Sequence, residues 1–207
     1  MEPMVNIALR AARKAGNLIA RASDDLTRLR FEAKGKADFV TEVDLASERE
    51  LIFNLQKTYP DHAFLCEESG RTGPEDAEYV WIIDPLDGTS NFMRGIPHYC
   101  ISIACTKAGK VEHAVVLDPV RQEEFTASRG RGAQLNGRRL RVSDRVDFKE
   151  CLIGTGTPFL GHSEDRMAWY LKGLGEIAGN SMGIRRAGAA ALDLAYVAAG
   201  RLEGFWE

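Results

Sequence analysis

The segment that most constrains this chain is the turn at residues 84–89, with the sequence DPLDGT, which directly follows the apolar run Val80–Ile83. Proline fixes its own φ and biases the preceding residue toward extended backbone, so we expect Asp84 to close a buried strand with its carboxylate directed outward. Asp87 follows three residues later. Gly88 lets a ligand approach the backbone closely, and the amides after it are available to open a helix whose positive end attracts anions. Carboxylates for hard cations and amides for a phosphate together indicate a phosphoryl-transfer site.

A second source of carboxylates lies upstream, where Glu67 and Glu68 follow the short apolar run Ala63–Cys66. That run predicts a strand, and open α/β sheets bind their ligands at the carboxyl ends of strands. A simpler interpretation is that Glu67, Glu68 and Asp84 cap turns at a solvated sheet edge. The two segments together favour a metal site, because acidic side chains crowded at buried strand ends repel one another unless a cation joins them.

Asp44 is a third candidate, and it directly precedes a helical pattern at residues 45–59. Leu45 and Leu55 are predicted to share the apolar face of this helix, which Pro60 ends. Aspartate is also a preferred N-cap residue. The sequence therefore leaves open a purely structural role, in which the carboxylate only accepts a helix amide.

These segments, in this order, resemble the inositol monophosphatases, a family of the Mg²⁺-dependent, lithium-sensitive phosphatase superfamily. The matching motifs are Asp38–Asp44, Glu67–Ser69, Trp81–Phe92, Gly130–Ala133 with Asn136-Gly137, Arg185–Asp193 and Gly204–Glu207. The resemblance spans essentially the whole chain and is greatest to the bacterial extragenic-suppressor branch. It implies an α+β fold, a layered αβαβα sandwich of the inositol monophosphatase and sugar phosphatase type. The implied reaction is the hydrolysis of inositol monophosphate to inositol and phosphate.

The resemblance also assigns roles by position, and it implies more than one Mg²⁺ ion per site. The implied metal ligands are Glu67, Asp84, the carbonyl of Leu86, and Asp87. Glu67 and Thr89 match the pair that activates the attacking water, and Asp44 matches a residue that supports this threonine through a hydrogen bond. Contacts with phosphate or inositol hydroxyls are implied for Glu67, Leu86, Asp87, Gly88, Thr89, Arg185, Gly188, Ala189, Ala190 and Glu207. Such chemistry requires no Ser, Cys or His nucleophile.

Members of the family continue past the position of Glu207 with a Trp-Asp-containing segment, whose aspartate completes the second metal site and contacts the sugar ring. We therefore expect residues 1–207 to form a single inositol monophosphatase-like domain that lacks this segment. We also expect the chain as given to be a poor catalyst, because Asp84 and Asp87 alone would hold a second Mg²⁺ weakly. A homodimer is a further implication of the resemblance.

The composition argues against general nucleic-acid binding, since 27 Lys and Arg residues are offset by 30 Asp and Glu residues, for a net charge of −3. A local exception is the arginine-rich stretch 129–145, which is either a solvated face or a basic surface for an acidic protein or RNA. Bacterial relatives of the family are linked to RNA-processing and transcription complexes, so a regulatory binding protein is the alternative function. Among enzymes, the nearest alternative is a phosphatase of related sugar or nucleotide phosphates.

The four cysteines, Cys66, Cys100, Cys105 and Cys151, lack a paired metal spacing and lie mostly in apolar runs. They are predicted to be buried, reduced thiols, as is typical of a cytoplasmic protein. No run of about 20 apolar residues is present, so we expect neither a membrane span nor a membrane partner. His98 stands alone at a predicted strand start, where a structural role is the more common one.

Periodicity and turn signals predict four helices, at about residues 4–22, 45–58, 163–177 and 189–199. Strands are expected at about residues 62–66 and 79–84. An antiparallel meander should follow at about residues 99–106, 110–117 and 123–128, because turn signals separate these runs.

Overall fold

The computed structural model describes residues 2–26, 31–35, 38–157 and 164–207. This part of the chain contains the α-helices α1 (Pro3–Ser23), α2 (Glu42–Thr58), the short α3 (Thr89–Met93), α4 (Glu164–Asn180) and α5 (Ala190–Ala198). All four helices predicted from the sequence are confirmed. The predicted first residue of the third one, Ser163, lies outside the described residues.

Helix α1 packs closely because the residues on its buried face are small. Ala8, Ala12 and Ala15 are buried, while the basic residues of this helix are exposed on the opposite face. Gly16 is required for the close approach, since a Cβ atom there would meet Leu117 Cδ2 at 2.9 Å. The predicted amphipathic helix is therefore confirmed, with the main sheet beneath its apolar face.

Helix α2 begins earlier than predicted because Thr41, and not Asp44, is its N-cap. The Thr41 hydroxyl accepts from the helix amides, and the Asp44 carboxylate accepts from the Thr41 amide, so the two form a capping box. The predicted apolar face is wrong at Leu45, which is 42% exposed. The prediction is confirmed at Leu55, which is buried together with Leu51, whereas the first turn of the helix directs polar side chains inward.

A small antiparallel hairpin, β1 (Phe31–Gly35) and β2 (Asp38–Thr41), precedes the main sheet. The main sheet contains β3 (Ala63–Cys66), β4 (Gly70–Thr72), β5 (Tyr79–Asp87), β6 (Cys100–Lys107), β7 (Lys110–Asp118), β8 (Glu123–Ser128), β9 (Gly132–Leu135) and β10 (Arg138–Arg139). Their order across the sheet is β10-β9-β8-β7-β6-β5-β3-β4. The predicted meander is confirmed as β6, β7 and β8. Every neighbouring pair in this sheet is antiparallel except β3 with β5.

A second, three-stranded sheet is parallel throughout and follows the order β12-β11-β13. Its strands are β11 (Leu152–Thr155), β12 (Gly183–Arg185) and β13 (Gly204–Trp206). Helix α5 contacts both sheets, α1 and α2 contact the main sheet, and α4 contacts β12. The layers are therefore helices α1 and α2, the main sheet, α5, the small sheet and α4. This is the predicted αβαβα sandwich.

The main hydrophobic core lies between the first helical layer and the main sheet, where Phe64, Trp81 and Phe92 are fully buried. All four cysteines are buried and none forms a disulfide, as predicted. Burial raises the pKa of the Cys66 and Cys105 thiols to about 12, so these groups remain protonated. Across the described ranges, no helix is both long and apolar enough to cross a bilayer.

An aromatic stack closes the end of α2 against the starts of β3 and β5. The imidazole of His62 lies between the rings of Tyr59 and Tyr79, at centroid distances of 4.7 and 4.8 Å. The indole N–H of Trp81 donates to His62 Nδ1 at 3.0 Å. This bond requires an unprotonated Nδ1, and burial lowers the pKa of His62 against an opposing effect of Asp61.

The stack predicts a pH dependence of stability. Because the pKa of His62 is lower in the folded protein than the unfolded value of about 6.5, the unfolded chain binds the extra proton first. The stabilising contribution of neutral His62 should therefore be fully present above about pH 6.5. The free energy of unfolding should fall as the pH drops from about 6.5 towards the folded pKa. His62→Gln should be less stable overall, but its loss of stability between pH 7.5 and pH 5 should be smaller. Urea unfolding of both proteins at several pH values measures this, and parallel pH profiles would contradict it.

Candidate active site

Two acidic segments meet where β3 ends beside β5. The strands run parallel with Cys66 opposite Ile83, so the residues after Cys66 lie beside the second half of β5. The Glu67 amide donates to the Ile83 carbonyl at 3.1 Å and extends the pairing by one residue. The predicted meeting of the two acidic segments is therefore confirmed, with Glu67 beside Asp84, but the predicted strand end at Asp84 is wrong because β5 continues to Asp87.

Asp84 lies in a cluster of negative charge. Burial, with the charges of Glu67 and Asp87, raises the pKa of Asp84 to about 8. A hydrogen bond with Glu67 acts in the same direction, whereas the Leu86 amide, which donates to Asp84 Oδ1 at 3.1 Å, favours the charged form. Buried carboxylates in this arrangement are stabilised by a cation.

The donors at this strand end fit a hard cation by their chemistry. Glu67, Asp84 and Asp87 offer carboxylate oxygens and Leu86 a backbone carbonyl, which are the ligand types that Mg²⁺ and Ca²⁺ prefer. Within the described ranges, no three His, Cys, Asp or Glu side chains are close enough to form a metal site by themselves. Mg²⁺ does not require such a cage, because it usually keeps several waters and binds one or two carboxylates.

The turn at residues 84–87 is a bulge in β5 that forms a hydrogen bond with helix α2. The pairing of β5 with β6 is regular up to Asp84 and resumes at Asp87 after a shift in register. The hydroxyl of Ser47, on α2, donates to the Pro85 carbonyl at 2.8 Å and fixes the peptide between these two positions. A bulge redirects side chains locally, so both carboxylates reach the same end of the strand.

Gly88 is required by its backbone conformation and its surroundings. Its φ is +96°, in the left-handed region, and a Cβ atom would meet the His98 carbonyl oxygen at 3.0 Å. Helix α3 begins directly after it, as predicted, although this helix contains five residues and makes one turn.

Thr89 is oriented by Asp44. The Thr89 hydroxyl oxygen lies 3.1 Å from Asp44 Oδ1 and 3.1 Å from the Leu86 carbonyl, and its proton is donated to one of these acceptors. Burial raises the pKa of Asp44, while hydrogen bonds from Thr41 and Thr89 act against this effect. Asp44 therefore combines two roles that the sequence left as alternatives, because one oxygen completes the capping box and the other faces Thr89.

Asp87 links the acidic cluster to helix α5. Its Oδ2 accepts from the Ala191 amide at 2.7 Å and lies 3.7 Å from the Cys100 thiol. Burial raises the pKa of Asp87, and these hydrogen bonds oppose the rise. The side chain is thus fixed at the junction between the main sheet and the α5 layer.

A cavity of about 320 Å³ opens beside Asp87. Seven of the residues implicated in substrate or metal contacts line it: Asp87, Gly88, Thr89, Gly188, Ala189, Ala190 and Glu207. The structure does not bring Asp44, Glu67, Asp84, Leu86 or Arg185 into its wall. Glu67 and Asp84 instead line a neighbouring groove of the sheet with Cys66 and Ser102. The acidic strand end and the cavity are adjacent, with Asp87 and Thr89 between them.

The cavity contains an arginine that differs from the one predicted. Arg185 is exposed and its Nη1 donates to the Ile184 carbonyl at 3.0 Å. Arg186 lines the cavity instead, and its Nε and Nη2 lie 3.3 and 3.0 Å from the Thr157 hydroxyl. Both arginines are in the same motif. Both side chains are exposed, and the sequence alone did not reveal which of the two contributes to the cavity wall.

Two further acidic groups line the cavity. Asp193, which sequence analysis missed, is buried in α5, and its Oδ1 lies 3.3 Å from His98 Nε2. Its position in the apolar helix Ala190–Ala198 was the available signal, because a buried charge requires a partner. Glu207 packs against Gly156 so closely that a Cβ atom at Gly156 would overlap its carboxylate. Ser90, Thr155 and Phe205 are further wall residues that were assigned no contact from the sequence, although Ser90 and Phe205 lie in matching motifs.

Comparison with known proteins gives consistent results. A model of the inositol monophosphatase family matches residues 1–207. The chain is 57% identical over 209 residues to "Nus factor SuhB" of Pseudomonas aeruginosa, and the match covers 100% of this chain and 77% of that protein. Among solved structures, the extragenic suppressor protein suhB of Bartonella henselae is 43% identical with a TM-score of 0.95, covering 100% of this chain and 78% of that one. An inositol monophosphatase from Anabaena is 34% identical with a TM-score of 0.81, covering 98% and 73%.

Proposed function

This chain belongs to the inositol monophosphatase family, and from that membership we propose that it is a Mg²⁺-dependent phosphomonoesterase acting on inositol monophosphate. The family and its phosphatase-type fold support the reaction class. The observation that carries the proposal is the meeting of the Glu67–Asp84–Asp87 carboxylates with a cavity that contains Arg186. The acidic segments would bind the metal, and the cavity would bind the phosphate ester. A homodimer and a cytoplasmic location, expected from the sequence, are part of this proposal.

In this proposal Glu67, Asp84, Asp87 and the Leu86 carbonyl hold Mg²⁺. The bound ions would neutralise the charge of the phosphate and lower the pKa of the attacking water. The chain itself contributes the fixed geometry of these donors, through the Glu67–Ile83 backbone bond and the Ser47–Pro85 bond. Preorganised donors spend little free energy on reorganisation during the reaction.

Glu67 and Thr89 are proposed to activate the attacking water: the Thr89 oxygen accepts a hydrogen bond from it, and the Glu67 carboxylate takes up its proton. When the Thr89 hydroxyl donates to Asp44 Oδ1, its oxygen lone pairs face outward as acceptors. The water oxygen then forms a bond to phosphorus, the bond between phosphorus and the alcohol oxygen breaks, and the proton finally reaches that alkoxide. The products are inorganic phosphate and the free alcohol.

Three charged side chains of the cavity wall are proposed to bind the alcohol. Arg186 offers guanidinium donors, and Asp193 and Glu207 offer carboxylate acceptors, a combination that matches a ring with several hydroxyl groups. Arg186 takes the substrate contact that was predicted for Arg185. The backbone of residues 188–190 lies beside Asp87 and is proposed to contact the phosphate end.

A phosphate-release assay tests the proposal. Inositol 1-phosphate, fructose 1,6-bisphosphate and a nucleoside 3′-phosphate are each supplied with Mg²⁺ and with EDTA. We expect Mg²⁺-dependent release that is greatest for inositol 1-phosphate. Preference for one of the other substrates would retain the reaction and correct its specificity. No release from any substrate would contradict the enzyme assignment.

The second candidate is a binding role in a transcription or RNA-processing complex. It is favoured by the name of the Pseudomonas relative, "Nus factor SuhB". Part of the arginine-rich stretch is consistent with it, because Arg138, Arg139 and Arg141 form no salt bridge with any described residue. Three other arginines of the stretch are neutralised: Arg129 by Glu112, Arg131 by Glu2 and Arg145 by Glu203. The phosphate-release assay discriminates between the candidates, since the binding role requires no turnover.

A further inference from the structure

One face of α2 is polar although it is buried. Asp44, Ser47 and Glu48 are spaced at i, i+3 and i+4, which places them on the same side of a helix. Their exposed fractions are 1%, 0% and 3%, so all three side chains are removed from solvent. Buried polar groups require hydrogen-bond partners. The partners of these three side chains therefore show which parts of the protein this face contacts.

Each residue of this face forms a hydrogen bond with the candidate active site. Asp44 contacts the Thr89 hydroxyl, and Ser47 donates to the carbonyl of Pro85, next to Asp84. Glu48 accepts the amide of Glu68 through Oε2 at 2.9 Å and the amide of Ser69 through Oε1 at 3.1 Å. The helix thus contacts two segments, residues 85–89 and residues 68–69, which come together only in the folded protein.

We propose that Glu48 is a positioning residue for Glu67, with Ser47 acting in the same way on the Pro85 peptide. The inference rests on the proposed function, because it concerns the role of Glu67 toward Mg²⁺. Neither Glu48 nor Ser47 contacts the substrate cavity. They act through the backbone on either side of the metal-binding donors.

The backbone around Glu67 is fixed from two directions. Its own amide is bound to the Ile83 carbonyl, and the next two amides are bound to the Glu48 carboxylate. Since both sides of the Glu67 residue are held, the direction of its Cα–Cβ bond toward Asp84 is determined by the helix as well as by the sheet. An ionised carboxylate suits this task because it accepts two amides at once through strong, charge-assisted hydrogen bonds.

A purely structural role explains the choice of residue less well. A buried carboxylate costs free energy, and this one lies close enough to the residue before Glu67 that, after burial itself, its charge helps to raise the pKa of the Cys66 thiol. An apolar residue at a buried helix position would be less costly for the fold alone. A glutamate at position 48 is explained if the orientation of residues 67–69 matters for metal binding.

The test compares Glu48→Gln with Glu50→Gln, which removes the same charge from a partly exposed position of the same helix. The glutamine amide group is a donor, so it cannot accept the second backbone amide. Calorimetric titration with Mg²⁺, at a temperature where circular dichroism shows both variants folded, should give about 10- to 100-fold weaker binding for Glu48→Gln. Glu50→Gln should bind like the wild type. Without metal, hydrogen exchange of the 64–72 segment should be faster in Glu48→Gln alone.

Equal Mg²⁺ affinity in folded Glu48→Gln and wild type would overturn the positioning role, even if the variant melts at a lower temperature. If Glu48→Gln fails to fold, Ser47→Ala decides, because it removes one hydrogen bond and should weaken Mg²⁺ binding about two- to tenfold. An unchanged affinity in that variant would also overturn the inference. A wild-type protein that binds no Mg²⁺ contradicts the proposed function itself, and this outcome is distinct from equal binding by all variants.

Discussion

Replacing Asp84 with asparagine is expected to lower Mg²⁺-dependent phosphate release by about 10³-fold, while raising the melting temperature of the metal-free protein. The two effects have one cause. Asp84 is buried beside Glu67 and Asp87, so its charge is unfavourable without a cation and useful with one. Asparagine keeps the shape and removes the charge. Each kcal/mol of relieved repulsion should raise the melting temperature by about 2–4 °C in a chain of this size.

Melting curves with and without Mg²⁺ provide the decisive measurement. The wild type should be stabilised by Mg²⁺, because a ligand that binds only the folded state shifts the unfolding equilibrium, whereas Asp84→Asn should show no shift. Asp76→Asn is the matched control, since Asp76 is exposed and lies outside the acidic cluster. An equal Mg²⁺-induced shift in Asp84→Asn and wild type would remove Asp84 from the proposed metal ligands.

Replacing Thr89 with alanine is expected to lower kcat by about 10²-fold, with little change in Mg²⁺ affinity. The hydroxyl lies within hydrogen-bond distance of both Asp44 and the Leu86 carbonyl, so its oxygen is held in a fixed direction. A loss of 10²-fold in kcat corresponds to about 2.7 kcal/mol in the activation free energy. That is more than one ordinary hydrogen bond contributes to stability, which is about 1 kcal/mol.

The serine variant separates chemistry from packing. Thr89→Ser retains the hydroxyl and should keep most of the activity, while Thr89→Ala should not. Thr58→Ala, at an exposed position of α2, controls for the loss of a threonine elsewhere. Steady-state kinetics together with Mg²⁺ titrations measure both quantities. If Thr89→Ala retains the kcat of the wild type, Thr89 has no part in the proton transfer.

The acidic end of the site could be predicted because its signals are local. Pro85 and the apolar run before Asp84 predict an interruption of the strand, which the structure shows as the bulge within β5, and an apolar run also precedes Glu67. Two parallel strands that pair side by side bring the residues after the paired positions together, as the pairing of Cys66 with Ile83 confirms. The meander followed equally from turn residues between apolar runs. In each case the interaction that decides the structure lies within a few residues of the pattern that predicts it.

The remaining features depend on contacts between distant segments. Glu48 has the sequence context of a solvated helix residue, and only the packing of α2 beneath residues 68–69 shows that it is buried. Arg186 and Arg185 are neighbours of the same type, and only the folded chain shows that Arg186 lines the cavity. The strands of that sheet are short, and none of them was predicted. Asp193 was missed for a related reason, since its partner His98 lies far away in sequence.

The cavity wall comes from one early stretch of the chain and two later ones. Residues 87–90 follow the acidic strand end, whereas the remaining wall residues lie at 155–156 and 186–207. The first and last stretches are joined by the hydrogen bond from Ala191 to Asp87 and by Asn91, which donates to the Ala187 carbonyl at 2.8 Å. Substitutions in the later stretches can therefore alter which alcohol is accepted without disturbing the carboxylates. Proteins with this arrangement can diverge in substrate specificity while conserving their reaction, because the two properties are encoded in different parts of the gene.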